Sequence, residues 1–183
     1  LSDEHLMGKA MQGQTDCFEQ IVLRHSGNLL RFVGSSVPVA QAAEDIVQDV
    51  FLNVYANMNR FNCEGSFKAW LYTIAYNCRV SHLRKKKVRQ KPIETIERRQ
   101  ASPEEIVTQQ HEVASIWALT SGLSTSQSTA LWLKYKEQLD VPQIAQVMQT
   151  SRIHVRVLLH RARTRLAELM NKPAKETIKL QSY

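Results

Sequence analysis

The chain is poor in the features that mark several common classes of protein. Its three cysteines, Cys17, Cys63 and Cys78, stand far apart. They form no CxxC pair and no Cys/His ligand spacing, so the pattern offers neither a zinc site nor a disulfide framework and fits a reducing compartment. No apolar run approaches the roughly 18 residues of a membrane span, and no basic-then-apolar leader precedes a small-residue cleavage site. The expectation is a cytoplasmic protein. Period-two alternation is also missing, so strands are not expected. An enzyme acting on nucleic acid would need a nucleophile with its base, or a carboxylate cluster for metal. No such set converges, and His25, His82 and His160 are isolated in the sequence. No metal and no cofactor is implied, and the chain is not read as an enzyme.

What is present is helical periodicity and positive charge. A formal net charge of +7 arises from 24 Lys and Arg against 17 Asp and Glu in 183 residues. The excess is clustered, which favours a nucleic-acid partner over mere solubility. From Ser2 to about Arg84 the apolar residues recur at helical spacing. In "DCFEQIVLRHSGNLLRFV" they are Phe18, Ile21, Val22, Leu29, Leu30 and Val33, and breaks fall near Gly13, at "SSVP" and at "NCEG". The run "RKKKVRQKP" is too dense in cations to pack and is read as linker over 85–102. "SPEE" then carries a helix start, with Ser102 as N-cap, Pro103 at the first helical position and Glu105 three residues after the cap. A second block spans 103–170, and 171–183 lacks periodicity and reads as a frayed tail. The fold class is all-α: two small helical domains, 1–84 and 103–170, joined by a flexible basic linker.

Three stretches carry chemistry. In "AEDIVQDVFLNVY", Ile46, Val47, Val50, Phe51 and Val54 share one side at about 100° per residue, while Asp45, Gln48 and Asp49 occupy the other. Leu52 falls in the middle of that acidic side. Carboxylates there would repel DNA, so the patch suits a protein groove that buries leucine while basic residues engage the acids. In "SFKAWLYTIAYNCRVSHLRKKK", Phe67, Trp70, Leu71, Ile74, Ala75 and Cys78 are assigned to the core. Lys68, Tyr72, Tyr76, Arg79 and Leu83 form an opposite, aromatic and basic stripe leading to Arg84 and Lys85. Aromatic faces stack unpaired bases, each worth roughly 1 to 3 kcal/mol, and cations hold the phosphates. In "LDVPQIAQVMQTSRIHVRVLLHRARTRLAEL", Asp140 and Ser151 can cap two helices at helix-turn-helix spacing. Val155, Leu158, Leu159, Ala162, Leu166 and Leu169 point inward. Arg152, His154, Arg156 and Val157 are placed to meet base edges, and His160, Arg161, Arg163 and Arg165 lie further along toward phosphates. The usual turn glycine is absent, and Gln149 stands there.

Together these three stretches resemble the extracytoplasmic-function sigma factors, the small two-domain class of the bacterial sigma-70 superfamily. The resemblance runs from about Asp3 to Met170. It implies that the acidic helix, through Asp45, Gln48, Asp49 and Leu52, binds the clamp helices of the largest catalytic RNA polymerase subunit. The loop at 59–66, with Asn62, Cys63, Glu64 and Ser66, and the helix after it would capture a flipped base and melt the start-proximal promoter element. The linker would pass toward the RNA exit path, and the second domain would read the upstream element. An anti-sigma factor is implied as a further partner, one that could hold the chain at the inner membrane face. The chain departs from the family at Ser124-Thr125, where a Pro-Pro pair is common, and at Ile153-His154 and Val157-Leu158 in the recognition helix. A helix-turn-helix regulator acting without polymerase is the alternative, and it leaves Asp45, Leu52 and the tyrosines unexplained.

Overall fold

Capping chemistry sets where the helices begin. The computed structural model describes residues 1–89 and 122–171. Ser2 accepts the His5 N–H at 3.3 Å and opens α1 (Asp3–Met11). Then come α2 (Thr15–Gly34), α3 (Ala40–Asn57), a short 3-10 turn (Met58–Arg60) and α4 (Phe67–Arg89). Two side chains satisfy donors at the start of α4: Ser66 Oγ accepts from the Ala69 N–H at 3.2 Å, and Glu4 Oε1 from the Phe67 N–H at 3.1 Å. In the second half, Ser124 with Gln127 and Asp140 with Gln143 form reciprocal capping boxes. They open α5 (Thr125–Leu131) and α6 (Val141–Val147), with a π-helical turn, Trp132–Lys136, after α5. Ser151 Oγ accepts the His154 N–H at 3.1 Å and starts α7 (Arg152–Asn171). Among the described residues there are no strands.

The apolar stripes meet as their spacing predicts. Leu6 and Met7 of α1, Ile21, Leu29, Phe32 and Val33 of α2, and Ile46, Val50 and Val54 of α3 are buried against Phe67, Leu71 and Ala75 of α4. Leu30, which recurs at helical spacing with the apolar residues of α2, is 37% exposed. The second core gathers Leu133, Ile144 and Val147 with Val155, Leu158, Leu159 and Ala162. Gln149, in the turn between α6 and α7, has φ 51°, a left-handed conformation that costs a non-glycine residue on the order of 1 kcal/mol. The turn closes there without glycine because Thr150 N–H bonds back to the Ala145 carbonyl at 2.9 Å.

Two relationships were not foreseen. Helix α4 continues to Arg89, so residues 85–89, assigned to the linker, are helical. The two halves also pack on each other: α4 lies against α6, and the rings of Phe32 and Trp132 approach to 6.3 Å. The rest of the expected linker, the Ser102 cap, the second block up to residue 121, and the tail from residue 172 lie outside the described residues.

Candidate protein and nucleic-acid interfaces

Helix α3 forms a crest between two grooves. Asp45, Gln48, Asp49 and Leu52 are all exposed along it, Leu52 at 61%, while Ile46, Val47, Val50, Phe51 and Val54 are buried beneath. On the α2 side lies an apolar groove lined by Phe18, Val22, Leu30, Val47, Phe51 and Tyr55, with Gln48 and Leu52 on its rim. The Phe18 and Tyr55 rings meet edge to face at 5.2 Å. The apolar wall beside an acidic edge is what a basic, leucine-bearing helix would need.

On the α4 side lies a polar cleft of about 540 Å³, whose wall includes Asp49, Asn53, Asn57, Arg60, Trp70 and Asn77, then Cys78, His82 and Lys85. Trp70 is half-buried beside the Phe61 ring, with centroids 5.1 Å apart. Asn53 Nδ2 donates to Cys78 Sγ at 3.6 Å. Burial first, then the Asp49 carboxylate, pushes the Cys78 thiol above its ordinary range. An indole, three amides and two cations around one opening offer stacking, base-edge hydrogen bonds and phosphate charge together.

The expected stripe on the other side of α4 is not a free surface. Tyr72 is fully buried and Arg79 is 1% exposed, so neither can receive a base in this arrangement. Tyr72 packs edge to face on Phe32 at 5.0 Å. Burial, and then the Glu137 carboxylate, raise its phenol well above the usual tyrosine range. Arg79 lies over the Phe32 ring at 4.4 Å and the Tyr76 ring at 5.5 Å. Its Nη2 donates to Thr129 Oγ1 at 2.7 Å, and its Nη1 reaches Ser36 Oγ at 3.4 Å and the Phe32 carbonyl at 3.5 Å. Desolvation brings its pKa down to about 10. Lys68 and Tyr76 keep partial exposure, and Lys68 Nζ stands 3.9 Å from Glu137 Oε2. Correspondingly Trp70, Ile74 and Cys78, assigned to the core, are only half-buried at the cleft. The second half covers the face that periodicity alone leaves open, and this turns the useful face of α4 toward α3.

The loop before α4 presents Asn62, Cys63 and Glu64 outward, with Ser66 half-buried as the helix cap. Asn62 Oδ1 accepts the Glu64 N–H at 3.0 Å, and the Gly65 N–H returns to the Asn62 carbonyl at 2.8 Å. A Cβ at Gly65 would sit 3.2 Å from that carbonyl, so the tight turn favours glycine. Arg84 and Lys85 are exposed further along α4.

In the helix-turn-helix half, Arg152, His154, Arg156 and Val157 are exposed around the first turns of α7, and Val155, Leu158, Leu159 and Ala162 face the core. His160, Arg161, Arg163 and Arg165 are exposed beyond them. Arg163 Nε folds back to the Leu159 carbonyl at 3.1 Å, and Arg165 pairs with Glu168 at 2.9 Å. His160, Arg161, Thr164 and Arg165 border a shallow polar depression beside Gln127. The cleft residues Asn53, Asn57, Asn77 and Ser81 escaped the sequence reading. Their signal was polar pairs four residues apart on two successive helices.

Among the described residues no group of three or more His, Cys, Asp or Glu could hold a metal ion, and no helix is long and apolar enough to cross a membrane. Residues 21–89 match the Sigma-70 region 2 family and residues 114–166 the Sigma-70 region 4 family. The RNA polymerase sigma-H factor of Pseudomonas aeruginosa is 28% identical over 174 residues, covering 88% of this chain and 90% of that protein. The solved structure of the sigma factor RpoE with the anti-sigma factor NepR from Bartonella quintana aligns at TM-score 0.64 and 25% identity, over 85% of this chain and 98% of that one. CnrH, solved in complex with the cytosolic domain of CnrY, shares the fold at TM-score 0.68 and 23% identity, over 94% and 99% of the two chains.

Proposed function

The chain belongs to the sigma-70 family of RNA polymerase sigma factors, in its extracytoplasmic-function group, and we propose how its surfaces divide that work. The observation that carries the division is the position of α3, an acidic, leucine-bearing crest with an apolar groove on one side and a polar, tryptophan-bearing cleft on the other. The crest, through Asp45, Gln48, Asp49 and Leu52, docks on the clamp helices of the largest polymerase subunit. Leucine supplies the buried contact and the acids supply its register and on-rate.

The cleft takes unstacked bases of the start-proximal promoter element. Trp70 supplies the stacking surface, Asn53, Asn57 and Asn77 supply donors and acceptors, and Arg60 and Lys85 supply phosphate charge. The loop of Asn62, Cys63, Glu64 and Ser66, which follows Arg60 of the cleft wall and leads into α4, captures a flipped base. Helix α7 enters the major groove of the upstream element, with Arg152, His154, Arg156 and Val157 at base edges. The work is binding and strand separation, without a chemical step.

An anti-sigma factor is the natural negative regulator. RpoE, a sigma factor similar along most of this chain, was solved with one, and the exposed apolar groove beside α3 offers a second helix a place to lie. Such a partner would keep the chain in the cytoplasm or hold it at the inner membrane face.

Transcription by core polymerase on a promoter library, with and without this chain, tests the reading. The expected result is a set of products with defined start sites that require it. Products that do not depend on the chain, or binding to duplex DNA alone with no effect on polymerase, would overturn it.

A further inference from the structure

Helix α7 turns an apolar pair, not a charge, farthest from its own core. At about 100° per residue the buried Val155, Leu158, Leu159 and Ala162 share one direction. Ile153 lies about 170° from that direction and Val157 about 150°, against about 110° for Arg156 and about 70° for Arg152. Ile153 is 72% exposed and Val157, one turn on, is 37% exposed. The two arginines therefore stand on the flank of this ridge rather than on its top. A lone exposed isoleucine asks for no explanation. Two β-branched side chains stacked at the leading end of a helix-turn-helix do.

The ridge is held ready for contact. Ser151 Oγ accepts from the His154 N–H at 3.1 Å, and the Ser151 carbonyl from the Val155 N–H at 3.1 Å, which fixes the turn that carries Ile153. Inside a helix a β-branched side chain keeps essentially one χ1 rotamer, so little freedom is left to lose on binding. The surroundings say what the ridge meets. Arg152 and Arg156 line one flank, His154 and Arg161 the other, and no carboxylate occurs on α7 before Glu168. Cations on both flanks of an apolar ridge suit a groove with phosphates along both walls and an apolar group on its floor. In the major groove that apolar group is the thymine C5-methyl. Over a G·C pair the same side chain would strip water from the base-edge acceptors and donor and return no hydrogen bond.

Resting on the reading that α7 enters the major groove, we propose that Ile153 is a specificity-determining residue: with Val157 it forms the centre of the α7 contact and selects a T·A pair in the upstream element through the thymine methyl. Arg152 and Arg156 reach in from the flank and read the pairs beside it.

The test removes the methyl from the DNA and its partner from the protein. Selection by holoenzyme, core polymerase with the full chain, on promoters randomised in the upstream element identifies the thymines. Each is then replaced singly by deoxyuridine, which lacks only the C5-methyl, and binding is measured for the parent and Ile153→Ala holoenzymes. Ile153 is mostly exposed, so the variant keeps the fold. At one thymine the parent should lose about fourfold in affinity, the worth of one buried carbon, and Ile153→Ala should lose nothing there. A parent indifferent to uracil at every thymine, or an Ile153→Ala chain that keeps the full penalty, would overturn the proposal while leaving α7 in the groove. Selection that enriches no upstream sequence would remove α7 from the major groove and the methyl contact with it. Unchanged base preference in Ile153→Ala together with weaker core-enzyme binding would assign the ridge to a protein instead.

Discussion

Asn53 Nδ2 donates to Cys78 Sγ at 3.6 Å, tying α3 to α4 across the polar cleft. The thiol's environment makes it a reporter. Cys17 is buried, Cys63 exposed and Cys78 in between, so a maleimide should label Cys63 first, Cys78 slowly and Cys17 last. Because burial and Asp49 raise the Cys78 pKa, its thiolate is scarce near neutrality, and its labelling should climb as pH rises further. A single-stranded oligonucleotide of start-proximal sequence should slow Cys78 labelling several-fold without protecting Cys17. Equal Cys78 rates with and without the oligonucleotide would remove the cleft from the DNA path.

Promoter melting should depend on Trp70 more than on Tyr76. Loss of one base–aromatic stack weakens binding by roughly 1 to 3 kcal/mol. In permanganate footprints of open complexes, Trp70→Ala should therefore reduce thymine reactivity about tenfold or more, while Tyr76→Ala, outside the cleft wall, should change it little. Trp70 also contacts Phe61 and Phe67, so native helix content of the variant is part of the measurement. The reverse ranking would restore the tyrosine face as the platform and require the two halves to part on DNA.

Polymerase binding should fail at the crest. An exposed ion pair is worth at most about 1 kcal/mol, whereas a charge partly buried in an interface costs roughly 2 to 5 kcal/mol when its partner is removed. Asp49→Lys should weaken core-enzyme binding by the larger amount, and Leu52→Ala should weaken it without changing the salt dependence. Titration of labelled chain with core enzyme measures both. A folded Asp49→Lys chain that binds as tightly as the parent would place the docking surface elsewhere.

How much of this was legible in the sequence differs from helix to helix. Helix α3 was readable almost residue by residue, because one side meets the core and the other meets solvent. There the 3.6 period maps directly onto burial, from Ile46 to Val54 inward and from Asp45 to Leu52 outward. Helix α4 was not, because it is packed on two sides. Phe67 and Leu71 face the first core, whereas Tyr72 and Arg79 are covered by Thr129, Trp132 and Glu137, residues fifty or more positions away. Periodicity finds the apolar face but not a second cover brought by tertiary contact, so a tyrosine–arginine stripe looked open. The caps at Asp140 and Ser151 were legible because they are local chemistry. The left-handed Gln149 was not, since nothing in its side chain announces that conformation.

The upstream element offers the test with the sharpest contrast. Arg152 and Arg156 stand one turn apart on the exposed start of α7, where a guanidinium fork can address guanine O6 and N7. Each such bidentate pair discriminates by roughly 1 to 3 kcal/mol, so Arg156→Ala should relax base preference at one or two positions of the upstream element. Arg161 lies beyond that turn and borders the depression with His160 and Thr164. A phosphate contact there carries no sequence information, so Arg161→Ala should weaken all sequences alike and lower the salt slope by about one unit. Arg163 should matter less than Arg161, because its Nε is already engaged by the Leu159 carbonyl. Binding selections on randomised upstream elements, repeated at two salt concentrations, separate the three variants. An unaltered preference in Arg156→Ala together with a sequence-specific loss in Arg161→Ala would mean that α7 docks deeper in the groove, with its second turn rather than its first at the base edges.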